Sequence, residues 1–386
     1  FEKPLITQKT DIHLAKILAM PQKEKLECLV YGKNLDFLEK KLMAEGAKIT
    51  GRFPFIGALG VFAHPQSLKN ILKLEATDFM CSHTKVFAMM NVARQILGAE
   101  NKLGGQNITI AYIDTGLSPH LDFVLGQNRI LKFVDFINHK LFPYDDNGHG
   151  TFVAGVGCGS GALSSGKYAG VAPKSNIIAI KALDSGGEAN ATKILEAMQW
   201  IYENAMRFNI KVVCMSFGSE PLGAHDPIMQ GAEKLWDKGI IVVAAAGNSG
   251  PEYSTIKSPG VSPKIITVGA FDDNRLDNTT FDPAFFEIAQ FSSRGPAFDS
   301  FKPDLVAPAV DITSCGVEEN YTTLSGTSVA SPMIAGICAL LVEQNPTSSP
   351  NQIKNNLLAL CRPITFNQNK EGNGYFSFHN AKSPLE

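Results

Sequence analysis

The sequence predicts an α/β fold, a parallel sheet covered by helices in three layers, preceded by a small ferredoxin-like α+β domain. Two observations point there. Between residues 108 and 343, continuous apolar runs alternate with amphipathic stretches, the pattern of buried parallel strands joined by crossover helices. Over residues 26 to 80, shorter segments follow the order strand, helix, two strands, helix, strand, which is a split βαβ pattern.

In chain order, residues 1–25 are an extension, 26–84 the small domain and 85–386 the large one. The small domain's strands are "LECLVYG", "AKITGRF", "GALGVFAH" and "TDFMCSH", and its helices are "NLDFLEKKLMAEG" and "SLKNILKLEA". A connector leads to the large sheet, whose strands are "NITIAYID", "NIIAIKAL", "KVVCMSFG", "GIIVVAAAG" and "KIITVGA". Between them lie the helical segments "ATKILEAMQWIYENAMRF" and "DPIMQGAEKLWDKG". A further helix starts near Ser328 and runs until "NP" stops it, and "PNQIKNNLLALC" forms another.

Composition narrows the function. Lys and Arg number 35 against 37 Asp and Glu, with no basic block, so neither a nucleic-acid nor a membrane partner is expected. No apolar run reaches the length of a bilayer span. The seven cysteines show no metal-ligand spacing and read as buried thiols of a reducing compartment. With no visible secretory signal, they favour a cytoplasmic or spore-associated location over a secreted one.

Four polar residues fall where strands meet loops or helices. Asp114 ends "IAYID", His149 opens the Gly-rich helix of "DDNGHGTFVAG", and Asn248 follows "VVAAAG". Ser328 lies among small residues in "LSGTSVASP". Taken singly, Asp114 and Asn248 are ordinary turn residues and His149 and Ser328 ordinary helix-start residues. Jointly, they can converge beyond the carboxyl ends of parallel strands, where open sheets bind ligands.

The order Asp, His in HGT, Asn in AAGN and Ser in GTSxASP resembles the subtilisin-like serine peptidases, the subtilases. "GKYAGVAP", "SPGVSPKIITVGA", "FSSRGP" and "KPDLVAP" extend that resemblance across residues 108 to 345. It is similar to the bacterial intracellular type with an N-terminal propeptide. The resemblance implies an endopeptidase that needs no cofactor for its chemistry. Ser328 would be the nucleophile, His149 the base, Asp114 its orienting carboxylate and Asn248 an oxyanion donor. Protein or peptide substrates would lie along Ser216, Phe217 and Gly218 and along Ala245, Ala246 and Gly247. The small domain would be the enzyme's own inhibitor and folding aid, released by autocleavage within residues 80 to 90.

Three departures from the family pattern matter. Lys257 in "TIKSPG" stands where relatives carry Gly at the base of the P1 pocket; it either charges that pocket for acidic side chains or turns out to solvent. Val329 follows the nucleophile in place of an oxidisable Met. "CGSGALSSGKYAG" lacks the Asn-containing loop of the strong calcium site, while a weaker cation site at Asp304 with carbonyls near Gly260 and Ser262 stays open. An α/β-hydrolase esterase is disfavoured because no G-x-S-x-G elbow is present.

Overall fold

The chain divides into two units, Phe1–Val86 and Phe87–Glu386. A computed structural model describes residues 9–10, 12–19, 24–54, 57–82, 90–99, 103–275 and 281–380.

In the first unit, helix α1 (Ile12–Ala19) precedes strand β1 (Leu26–Tyr31), helix α2 (Leu35–Ala44), strands β2 (Lys48–Phe53) and β3 (Ala58–Ala63), helix α3 (Pro65–Leu72) and strand β4 (Phe79–Ser82). The four strands form an antiparallel sheet in the order β2-β3-β1-β4. Cys28 and Val30 alternate inward on β1, while Leu38 and Leu42 share one face of α2 at helical spacing. The Asn34 side chain accepts the Phe37 N–H and caps α2, and Pro65 supplies the first turn of α3.

The second unit is built on strands β5 (Thr109–Asp114), β6 (Ile130–Asp135), β7 (Asn176–Lys181), β8 (Ile210–Met215), β9 (Ile241–Ala245), β10 (Ile266–Asp272) and β12 (Leu305–Pro308). They are mutually parallel, in the order β12-β10-β9-β8-β5-β7-β6. The short β11 (Glu287–Ile288) pairs with β10. Every residue of β5 and β9 is buried, as expected of strands covered on both faces. Chain order reverses at β5: β7 and β6 lie on one side, β8 and β9 on the other. That switch point opens a crevice at the carboxyl end of β5, where Asp114 sits.

Helix α4 (Met90–Leu97) lies in the stretch read as connector, burying Ala93, Ile96 and Leu97. The short helix α5 (Leu121–Val124) follows β5. Helices α6 (His149–Cys158) and α9 (Thr327–Gln344) pack together against the sheet, and α7 (Ala191–Asn204) packs with α8 (Pro227–Asp237). Crossing of α6 and α9 depends on glycine. A Cβ on Gly157 would stand 3.3 Å from the Pro332 carbonyl oxygen of α9, and one on Gly336 would stand 3.2 Å from the Gly157 carbonyl oxygen. Helix α9 has the length and composition of a membrane span, yet it is buried inside the unit. Strands β13 (Ile312–Cys315) and β14 (Tyr321–Leu324) form a hairpin before it, and α10 (Pro350–Ala359), capped by a Ser349–Gln352 box, follows it.

Candidate active site

Strand direction brings the four polar residues to one rim. Strands β5, β8 and β9 are adjacent and parallel, so Asp114 at the end of β5 and Asn248 just past β9 lie on the same edge. His149 opens α6 and Ser328 is the second residue of α9. The contacts of His149 with Asp114 and of Thr327 with Asn248 place both helix N-termini at that edge.

Asp114 Oδ1 accepts from His149 Nδ1 at 2.7 Å and from the Thr115 N–H at 2.7 Å. With Nδ1–H so engaged, Nε2 carries the ring's lone pair. Burial opposes the imidazolium, but the Asp114 carboxylate, assisted by Asp145, outweighs it and raises the His149 pKa above 6.5. The Asp114 carboxylate is nearly fully buried, whereas the imidazole is partly exposed. No hydrogen bond joins His149 to Ser328 among the described residues.

On the other side of the crevice, Asn248 Oδ1 accepts from both the Thr327 N–H and the Thr327 hydroxyl, each at 2.9 Å. Thr327 Oγ1 in turn accepts the Gly247 N–H at 3.1 Å. This clamp fixes Asn248 by Oδ1 and leaves its Nδ2 amide beside Gly326. A Cβ on Gly326, whose φ is +152°, would lie 3.3 Å from both Asn248 Nδ2 and Ser328 Oγ. Glycine therefore keeps open a space bounded by the Ser328 hydroxyl and the Asn248 amide. The first N–H groups of α9 have no helical partner and add positive potential there.

Sequence reasoning missed Asp145. Its Oδ1 accepts from Thr115 Oγ1 (2.9 Å), Gly148 N (2.8 Å) and Asn147 N (3.2 Å). Oδ2 accepts from Thr151 N (2.8 Å) and Thr151 Oγ1 (2.7 Å). Burial works against this carboxylate's charge, but the bonds to Gly148 and Thr151 prevail and hold its pKa below 3.8. Asp145 thus fastens the end of β5 to the start of α6 and fixes where His149 stands. Thr327, which aims Asn248, was also missed. The only signal for either was its place beside a candidate, in "DDNGHG" and "GTS".

Residues 105–374 match the subtilase family, Peptidase_S8. The chain belongs to the subtilase family. It is 38% identical over 338 residues to the serine protease AprX of Bacillus subtilis (strain 168), covering 80% of this chain and 75% of that protein. It is 34% identical to Subtilisin DY of Bacillus licheniformis, covering 66% of this chain and 83% of that one. The solved structure of S41 Psychrophilic Protease matches with a TM-score of 0.61 at 32% identity, over 70% of this chain and 88% of that one. This subtilase is accordingly a serine endopeptidase, a hydrolase.

Of the expected substrate-binding residues, Ser216, Phe217 and Gly218 follow β8 outside the sheet ladders. Ala245, Ala246 and Gly247 close β9, with Ala246 N bonded to Val268 O at 2.9 Å and Gly247 O accepting from Ser293 N at 2.9 Å. Lys257 departs from the expectation of a pocket cation. Its ammonium is paired with the Glu220 carboxylate, so the charge that would attract acidic side chains is already compensated.

Calcium, common in subtilases, fits poorly at the weak site expected around Asp304. At Asp304 two lysine side chains supply the positive charge. Lys302 Nζ donates to Asp304 Oδ2 (2.6 Å), Thr267 Oγ1 (2.9 Å) and Ile265 O (3.1 Å). Lys354 Nζ lies 2.8 Å from Asp304 Oδ1 and donates to the carbonyls of Pro263 (3.2 Å), Lys264 (3.1 Å) and Ile265 (2.9 Å). Gly260 O accepts from Thr267 Oγ1 at 2.6 Å, and the Ser262 hydroxyl donates to Glu233 at 2.7 Å. The weak cation site expected from Asp304 with carbonyls near Gly260 and Ser262 is poorly suited to calcium: two ammonium groups engage the Asp304 carboxylate and the Thr267 hydroxyl engages Gly260 O.

The segment read as lacking the strong calcium site folds onto Asp122. That carboxylate accepts from Gly161 N (3.0 Å), Leu163 N (3.1 Å) and the Tyr321 hydroxyl (3.0 Å). Nearby His120 and Cys315 complete a buried His-Asp-Cys trio. It is poorly suited to a metal: His120 Nδ1 accepts the Asp122 N–H at 3.1 Å, and burial drives the Cys315 thiol well above its ordinary pKa.

Proposed function

We propose that this subtilase hydrolyses peptide bonds through an acyl-enzyme formed on Ser328. A serine hydroxyl needs an adjacent base, and His149 serves by taking its proton through Nε2. Asp114 holds the imidazole tautomer and stabilises the imidazolium. The Asn248 amide and the Ser328 N–H receive the developing oxyanion in the space over Gly326. Protonated His149 then passes its proton to the leaving amine, and water repeats the sequence to free the acid. The observation carrying this reading is the pairing of His149 with Asp114 on the rim that also holds Ser328 and Asn248. Such sites often tighten only around substrate, so the His149–Ser328 hydrogen bond is expected to form as the substrate seats.

The substrate backbone adds a strand along residues 216–218 and 245–247, which leaves selection to side-chain pockets. The first unit is read as a prodomain that inhibits the peptidase until cleaved. Its antiparallel sheet supports that reading. The cut expected between residues 80 and 90 falls largely on 83–89, outside the described residues. None of the seven cysteines is in a disulfide, which supports a reducing compartment.

Labelling with a fluorophosphonate probe tests the proposal. Ser328 should be modified in the wild type and labelling lost in Ser328→Ala. N-terminal sequencing of both proteins after incubation should show a new terminus only in the active one. Equal labelling of the two would end the nucleophile assignment.

A further inference from the structure

Lys257 lies beneath the crevice, tied to both of its walls. Its N–H donates to Ala246 O at 2.9 Å, and the next residue, Ser258, exchanges two backbone hydrogen bonds with Ser219 at 2.9 and 3.0 Å. A Cβ on Gly218 would stand 2.6 Å from Lys257 Cβ, and one on Gly247 2.5 Å from Lys257 Cγ. The lysine stem therefore lines the gap between the 216–218 and 245–247 segments, lying against Gly218 and Gly247. This gap adjoins Asn248, so it faces the side chain of whichever residue presents its carbonyl to Ser328.

The far end of the stem is committed elsewhere. Its ammonium pairs with Glu220, whose carboxylate is 78% exposed while the lysine side chain is only 18% exposed. The slot thus meets methylene groups, and the charge beyond them is cancelled by an anion at its mouth. An acidic side chain entering there would have to displace Glu220 or endure its repulsion.

We infer that Lys257 and Glu220 act together as a specificity pair, giving this subtilase a neutral, apolar slot that rejects acidic residues at P1, the position supplying the scissile carbonyl. This rests on the hydrolytic reading above. Glu220 is the deciding element: without it, the same lysine becomes a free cation in the slot and the preference reverses.

Peptides that differ only at P1, carrying Leu, Gln or Glu, test the pair. Gln and Glu share a shape, so their kcat/KM ratio isolates charge. Active sites are first titrated with the fluorophosphonate probe. Wild type should favour Leu and take Gln over Glu. Glu220→Gln should raise Glu relative to Gln roughly fivefold, the scale of a partly exposed ion pair. Adding Lys257→Met to Glu220→Gln should abolish that gain. A wild type that cleaves after Glu as readily as after Gln overturns the inference by itself, even if a variant fails to fold. So does a Glu220→Gln enzyme with an unchanged ratio. A wild type that neither labels nor cleaves any peptide refutes the hydrolytic reading instead.

Discussion

Asp145→Asn tests whether the loop before α6 is what readies His149. The substitution keeps the shape and exchanges one carboxylate oxygen for an NH2 group. If that group takes the Oδ2 place, it faces the Thr151 N–H, now 2.8 Å away, which cannot turn round. If it takes the Oδ1 place, the N–H groups of Gly148 and Asn147 lose their acceptor instead. The cheaper orientation orphans one buried backbone donor, at about 1–3 kcal/mol. Loss of charge from the remaining bonds adds about 1 kcal/mol, for a total of about 2–4 kcal/mol. Stability should be measured by denaturant unfolding in a Ser328→Ala background, where autolysis cannot intrude. The active variant should also show a lower kcat/KM, with its acid limb moved to lower pH, because Asp145 helps to raise the His149 pKa. A loss under about 0.5 kcal/mol together with an unchanged pH profile would refute the reasoning.

Further expectations concern the catalytic groups and the buried lysines. Asn248→Ala should cost about 10²–10³ in kcat with little change in KM, measured on a short peptide substrate. In the wild type, the acid limb of the kcat/KM profile should have its midpoint above 6.5, since His149 must be neutral to act as base. The same shift acts oppositely on stability: the raised pKa favours the folded state fully below about pH 6.5, and that contribution fades as pH climbs through the raised value. Asp114→Asn should remove both effects, visible in paired pH profiles of rate and of unfolding. Chelation with EDTA should leave the unfolding midpoint unchanged, because Lys302 and Lys354 occupy the oxygens around Asp304. Lys302→Met should instead cost about 1–3 kcal/mol, because Asp304 Oδ2 loses its ammonium donor while Lys354 still pairs with Oδ1, read by the same unfolding assay.

Much of the large sheet was legible in the sequence because buried parallel strands carry continuous apolar runs. "NITIAYID" and "GIIVVAAAG" became β5 and β9 within two residues at each end. Strand β6 escaped because it is an edge strand with Lys132 turned to solvent, which breaks the run. Strand β12 escaped because four residues ending in Pro308 carry too short a pattern. The α4 helix was hidden in a stretch whose apolar face shows three buried positions among the described residues, Ala93, Ile96 and Leu97.

By itself the sequence determined the local chemistry: which residues carry a hydroxyl, an imidazole, an amide or a carboxylate, and on which element each rides. Periodicity and turn residues are properties of neighbours along the chain, so they survive without a fold. Tertiary structure alone decided how charges are partnered. Lys257 lies 37 residues from Glu220, and Lys354 is brought to Asp304 from a separate helix. Whether a lysine is a free cation or half of a neutral pair depends on distances of a few ångströms between remote segments. Coulomb energy falls with separation in space, and separation in sequence says little about it.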